Sequence, residues 1–211
     1  MTNANLNCIL FLYISLQWSL ALKITLKEMS FTALFTALTA IGAYISIPVG
    51  PISITLQTFF VLLSGILLGS RLGAASQILY VLLGLMGLPI FSGFSGGLQT
   101  VIKPSFGFLI GFILAAYSSG KIIYKQTYDL QIYQISFKKI FIACFISTII
   151  LYIIGIPYMY FILNVILSMN LTVSAVFKMG CLLFLPGDIL KIIAISFIGV
   201  KLLPKLKNFI Y

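Results

Sequence analysis

Asp188 and Lys191, in the stretch LFLPGDILKIIAISFIG, are the residues of this chain best placed to do chemistry. They lie inside an apolar run bounded by Lys178 and Lys201, long enough to cross a bilayer at roughly 1.5 Å per residue. A charge at membrane depth costs about 2.5–3.5 kcal/mol on insertion scales, so each of the two needs a partner. Three residues apart on a helix, their side chains share a face. Three readings are open. The pair neutralises itself and pins the helix; it jointly holds a polar ligand; or Asp188 acts as an acid or base. The last is disfavoured, because acid–base work usually needs a second positioned group. The chain has three acidic residues and no histidine, so neither a catalytic centre nor a metal site is expected.

Other polar groups accompany the pair. The segment from Gly87 to Phe108 combines glycines, aromatics and one cation, Lys103. Glycines such as Gly96 and Gly97 allow close approach of backbone to a ligand, Phe91 and Phe94 could cover an apolar one, and Lys103 could meet a carboxylate or simply face water or headgroups. The uncharged stretch Pro48–Thr58 offers Thr55, Gln57 and Thr58 as hydrogen-bonding groups, either for the same pocket or for the loop's own backbone. Small residues recur at helical spacing: Ala33, Ala37 and Ala40, then Gly65, Gly69 and Gly73, then Gly107 and Gly111. Such faces let helices approach closely, either within the chain or against another membrane subunit.

The elements that must position these groups are membrane helices. Of the 211 residues, 61% are hydrophobic and only 8% charged, against about 25% charged in a soluble domain. The apolar runs lack the short alternating strands of a membrane barrel. The net charge of +10 does not point to nucleic acid, because the basic residues are scattered through short loops. Cys8, Cys144 and Cys181 lie in different apolar segments and read as small apolar residues. Six spans are expected, at about Ser30–Ile47, Leu56–Gly69, Leu72–Leu88, Ser105–Gly120, Ile140–Leu163 and Met179–Leu203. The fifth has a candidate break at Gly155 and Pro157; the sixth contains Pro186-Gly187. With the first span starting in the cytoplasm, ten basic residues fall on that side and two, Lys103 and Lys178, on the other. The expectation is an all-α, N-in/C-in protein whose pocket opens outward. Residues 1–28 read as an extension, either an upstream mis-start or an interfacial helix over Cys8–Leu22, ahead of a membrane domain at 29–207.

Three blocks together resemble the BioY family, the substrate-binding subunit of energy-coupling-factor biotin transporters. They are ALFTALTAIGAYISIPVGPISITLQTFFVLLSGILLGSRLGAASQILYVLLGLMGLPIFSGFSGGLQ, KPSFGFLIGF and PGDILK. The likeness runs from about Ser30 to Leu203 and carries no motif over Tyr124–Leu171. It implies a six-helix plasma-membrane protein that binds biotin near the outer face, with no cofactor of its own. Its partners would be membrane lipid, a transmembrane coupling protein and two ATPase subunits, the only users of ATP. Ala33 and Ala37 match the family's docking motif. Asp188 and Lys191 match its motif at the biotin head group, and Lys103 is the candidate for the valerate carboxylate. Lys103-Pro-Ser-Phe-Gly stands where Gly-Pro-Thr-Gly-Gly is common, so Lys178 or backbone groups remain alternatives for that contact. Another water-soluble vitamin is the alternative ligand.

Overall fold

The structure, a computed structural model, describes residues 25–125 and 136–210. The stretch Cys8–Leu22 lies outside the described residues. Helix α1 (Leu26–Tyr44) starts four residues ahead of the expected span, for a local reason. Thr25 Oγ1 accepts from the Glu28 amide at 3.2 Å, and the Glu28 carboxylate accepts from the Thr25 amide at 2.7 Å. This capping box satisfies two otherwise unpaired helix-end donors.

A short antiparallel hairpin follows, β1 (Ser46–Val49) and β2 (Ile52–Thr55), with Ser46 opposite Thr55. It corrects the all-α expectation, since Pro48–Thr58 is not a plain loop. The sequence SIPVGPISIT supplies β-branched residues on either side of a Gly-Pro turn, and Gly50 takes the positive φ of 65° that the turn requires.

Helix α2 (Gln57–Leu85) doubles back on itself at Gly69, whose φ of 79° and ψ of 176° break the helix. The reversal is proved by a hydrogen bond of 2.7 Å from Gln57 Nε2 to the Tyr80 hydroxyl. In one straight helix these residues would stand about 35 Å apart. The two arms correspond to the expected second and third spans. They press together where a side chain on Gly73 would sit 2.8 Å from the Gly65 Cα.

Residues 86–105 form an ordered loop ending in a 3₁₀ turn over Leu98–Ile102. Then come α3 (Phe106–Lys125) and α4 (Phe137–Phe161), the latter closed by a π-helical turn at Ile162–Ile166. The expected break at Gly155 and Pro157 does not interrupt α4. A short α5 (Val173–Phe177) and a second π-helical turn (Lys178–Leu182) lead to α6 (Leu185–Ile210). By length and composition, four helical runs among the described residues could cross a membrane: Gln57–Leu85, Phe106–Tyr124, Phe137–Ile166 and Val173–Lys205.

The glycine faces are internal seams. A side chain on Gly65 would strike Ser119 and Ala116 of α3, and one on Gly107 would strike Tyr158 of α4. Gly120 likewise has no room for a side chain, its Cβ position meeting Ser70 and Gly69 at the α2 reversal. A polar seam joins α1 to α2: Thr36 Oγ1 donates to the Ser76 carbonyl at 2.9 Å, and Gln77 Nε2 reaches Thr39 at 3.3 Å. Ala33 and Ala37 do not join these seams; both are exposed on α1.

Candidate functional site

The helix ends next to the hairpin enclose a cavity of about 210 Å³. This is enough for a small organic molecule, below the roughly 300–1,000 Å³ of drug-sized sites. Its walls come from β2, the start of α2, the loop over 91–105, the start of α3, the middle of α4 and the start of α6.

Asp188 lies in the first turn of α6, not mid-helix. Pro186 ahead of it occupies a position where a missing N–H does no harm, and a carboxylate there complements the helix dipole. Asp188 is 5% exposed and ion-paired with Lys191 at 2.9 Å. Lys191 Nζ also donates to Thr58 Oγ1 at 2.8 Å. The Thr58 hydroxyl lies 3.3 Å from Asp188 Oδ1, and the Tyr152 hydroxyl donates to Asp188 Oδ2. Three helices thus meet in one charged, hydrogen-bonded knot on the cavity wall.

The capacity of this knot can be counted. An ammonium has three donors, and two on Lys191 are taken. A carboxylate has about four acceptor sites; Lys191, Thr58 and Tyr152 address three on Asp188. Among the described residues, one donor on Lys191 and one acceptor on Asp188 remain. They complement a ligand edge that presents C=O next to N–H, as an amide or a cyclic urea does.

The other expected site residues divide. Gln57 lines the cavity, but its amide is engaged, accepting from Thr55 Oγ1 at 2.9 Å and donating to Tyr80. Tyr80 in turn donates to the Ile90 carbonyl at 2.9 Å, so Gln57 holds the loop in place. Phe91 forms a buried wall, edge-on to Tyr80 at 5.4 Å and seated against Gly84. Lys103 lines the cavity, exposed and without an ion-pair partner among the described residues. Lys178 does not line it. Gly96 and Gly97 are also off the wall. Gly96 packs on the Leu88 carbonyl, and Gly97 has a φ of 85° with its amide 2.7 Å from the Gly84 carbonyl. Both shape the loop. Phe94 turns away and stacks on Tyr44 at 4.6 Å.

Tyr152 is the site residue that sequence reasoning missed. It sits where no motif was recognisable, in an otherwise aliphatic stretch of α4. The one available signal was general: a buried Tyr hydroxyl needs a partner, and Asp188 was the acceptor in want of donors. Tyr152→Phe is expected to weaken ligand binding by less than about tenfold, because the bond removed lies within the protein and the ligand loses only the fixed orientation of the Asp188 carboxylate, while leaving the protein folded. Titration calorimetry beside a thermal melt checks both halves.

Comparison with known proteins gives a consistent result. The family described as the BioY family matches residues 16–208. A probable biotin transporter BioY of Lysinibacillus sphaericus is 41% identical over 170 residues, covering 81% of this chain and 83% of that one. The biotin transporter BioY of Rhizobium etli is 33% identical over 177 residues, covering 82% and 91% respectively. Among solved structures, that of the S-component for biotin from an ECF-type ABC transporter superposes with a TM-score of 0.70. It is 26% identical and the match covers 83% of this chain and 90% of that chain.

Proposed function

This chain belongs to the BioY family, and from that premise we propose that it is the biotin-binding S component of an energy-coupling-factor importer in the plasma membrane. The observation that carries the reading is the unspent donor and acceptor at Lys191 and Asp188. Biotin's ureido ring presents a carbonyl acceptor beside N–H donors and complements them. Its valerate carboxylate is then assigned to Lys103, which the loop contributes to the cavity lining.

Six crossings, N-in and C-in, follow if α1 and each arm of α2 cross once. Charge supports this orientation. Lys103 lines the cavity, and Lys178 lies in the π-helical turn that leads into α6. Lys27, Arg71, Lys121, Lys138, Lys139, Lys201 and Lys205 stand at the opposite end of the helices, which basic residues mark as cytoplasmic. The cavity then faces outward and takes biotin from outside. The sequence has no phosphate-binding loop, so energy comes from two ATPase subunits acting through a transmembrane coupling protein. Ala33 and Ala37, exposed on α1, are the docking face; no cofactor belongs to this subunit itself.

The test is growth of a biotin-requiring host at limiting biotin, with the chain produced together with coupling proteins. Uptake is expected with the native chain. With Ala37→Trp it should fall at least about tenfold while the purified variant binds biotin as before. Undiminished uptake would remove α1 as the docking helix. Absence of uptake and of binding by the folded native chain would remove the function.

A further inference from the structure

We propose that Ser92 is a ligand-contacting, specificity-determining residue, whose hydroxyl donates to the carboxylate end of the bound molecule beside Lys103. The proposal rests on the reading of biotin as ligand. It starts from a tight turn at residues 91–95. The Phe91 amide donates to the Ser95 carbonyl at 2.9 Å, the Ser95 amide returns to the Phe91 carbonyl at 3.3 Å, and Gly93 and Phe94 both take positive φ, 71° and 53°. The turn sends Phe91 into the core and Phe94 out onto Tyr44, leaving Ser92 on the cavity wall.

Ser92 Oγ is buried and, among the described residues, has no hydrogen-bond partner. Three other hydroxyls that line the cavity are paired within the chain. Ser95 Oγ donates to the Ser92 carbonyl at 3.0 Å, Thr100 Oγ1 to the Gly97 carbonyl at 2.6 Å, and Thr55 Oγ1 to Gln57 at 2.9 Å. Buried hydroxyls are unfavourable when unpaired, and an exception asks for a reason. Here the reason is an acceptor that arrives with the ligand.

The direction of the ligand follows from the walls. The Asp188–Lys191 knot takes the end with mixed donors and acceptors. The loop lines the cavity with the Lys103 ammonium and with hydroxyl residues that include Ser92, whereas Asp188, the acidic residue among the lining ones, comes from α6. A negatively charged group fits beside Lys103, and a neutral one would forgo the attraction. The turn is also held from behind, by Tyr80 on the Ile90 carbonyl at 2.9 Å and Tyr44 on the Pro89 carbonyl at 3.1 Å. The Ser92 hydroxyl is therefore preorganised, and its loss is not repaired by loop movement.

The experiment titrates the native chain and Ser92→Ala with biotin and with biotinol, in which the carboxyl is replaced by a primary alcohol. Ser92→Ala is expected to weaken biotin about tenfold and biotinol less than about twofold, while the melting temperature of the ligand-free variant does not fall. Ser92→Thr, which keeps the hydroxyl, should restore most biotin affinity and serves as the second variant if Ser92→Ala does not fold. Unchanged biotin affinity in Ser92→Ala, or equal weakening of both ligands, overturns the role given to Ser92 alone. Failure of the folded native chain to bind biotin overturns the underlying function, and this proposal with it.

Discussion

Lys191→Ala and Asp188→Asn are each expected to lower biotin affinity by about a hundredfold or more, read by titration calorimetry. The figure corresponds to one or two charge-assisted hydrogen bonds, about 1.5–3 kcal/mol each. The two variants should differ in stability. Asp188→Asn keeps the shape of the side chain and an oxygen for Thr58, but its amide nitrogen cannot accept the bond that Tyr152 donates to the carboxylate. Lys191→Ala leaves a carboxylate, 5% exposed, without its cation, a situation that typically costs about 3–5 kcal/mol. That variant should melt lower. The exchange Asp188→Lys with Lys191→Asp separates binding from scaffolding. If the pair only pins α6, the exchanged protein keeps function; if it reads the ligand, the exchange folds and fails to bind, because donor and acceptor have traded places.

The second large effect concerns the fold. Gly65→Leu should destabilise the protein by about 3 kcal/mol or more, at the upper end of overpacking costs. Even a Cβ at this position would collide with the Ala116 carbonyl oxygen and Ser119 Oγ, and the backbone carbonyl cannot rotate away as a flexible side-chain tip could. Gly187→Ala is the matched control, since nothing lies within 4 Å of a Cβ built there. A melt in detergent should show a large drop for the first and little change for the second. Equal melting of both would show that α2 and α3 are not packed through this seam.

How far the sequence reached depended on whether a signal was local. The Asp188–Lys191 pair was legible because both residues sit on one helix at a fixed spacing, and the helix reversal because Gly69-Ser70-Arg71 interrupts an apolar run. Tyr152 was not legible. It joins the site from 36 residues away through tertiary packing, and nothing around it in α4 marks a polar role. The small-residue faces show the same limit. Spacing alone could not tell Gly65 and Gly73, which are buried between helices, from Ala33 and Ala37, which are exposed. The hairpin over residues 46–55 carried a readable alternation of β-branched residues, overshadowed by the helical runs on either side. Gly96 and Gly97 followed the general rule that glycines let a ligand approach. In the fold they let the loop approach itself, at the Leu88 and Gly84 carbonyls.

The most direct test of the central claim is titration of the purified native chain in detergent with biotin, repeated with a panel of other water-soluble vitamins. One tight, saturable biotin site per chain is expected, with no comparable heat from the others. A folded protein that gives no heat with biotin, or binds another vitamin more tightly, would contradict it.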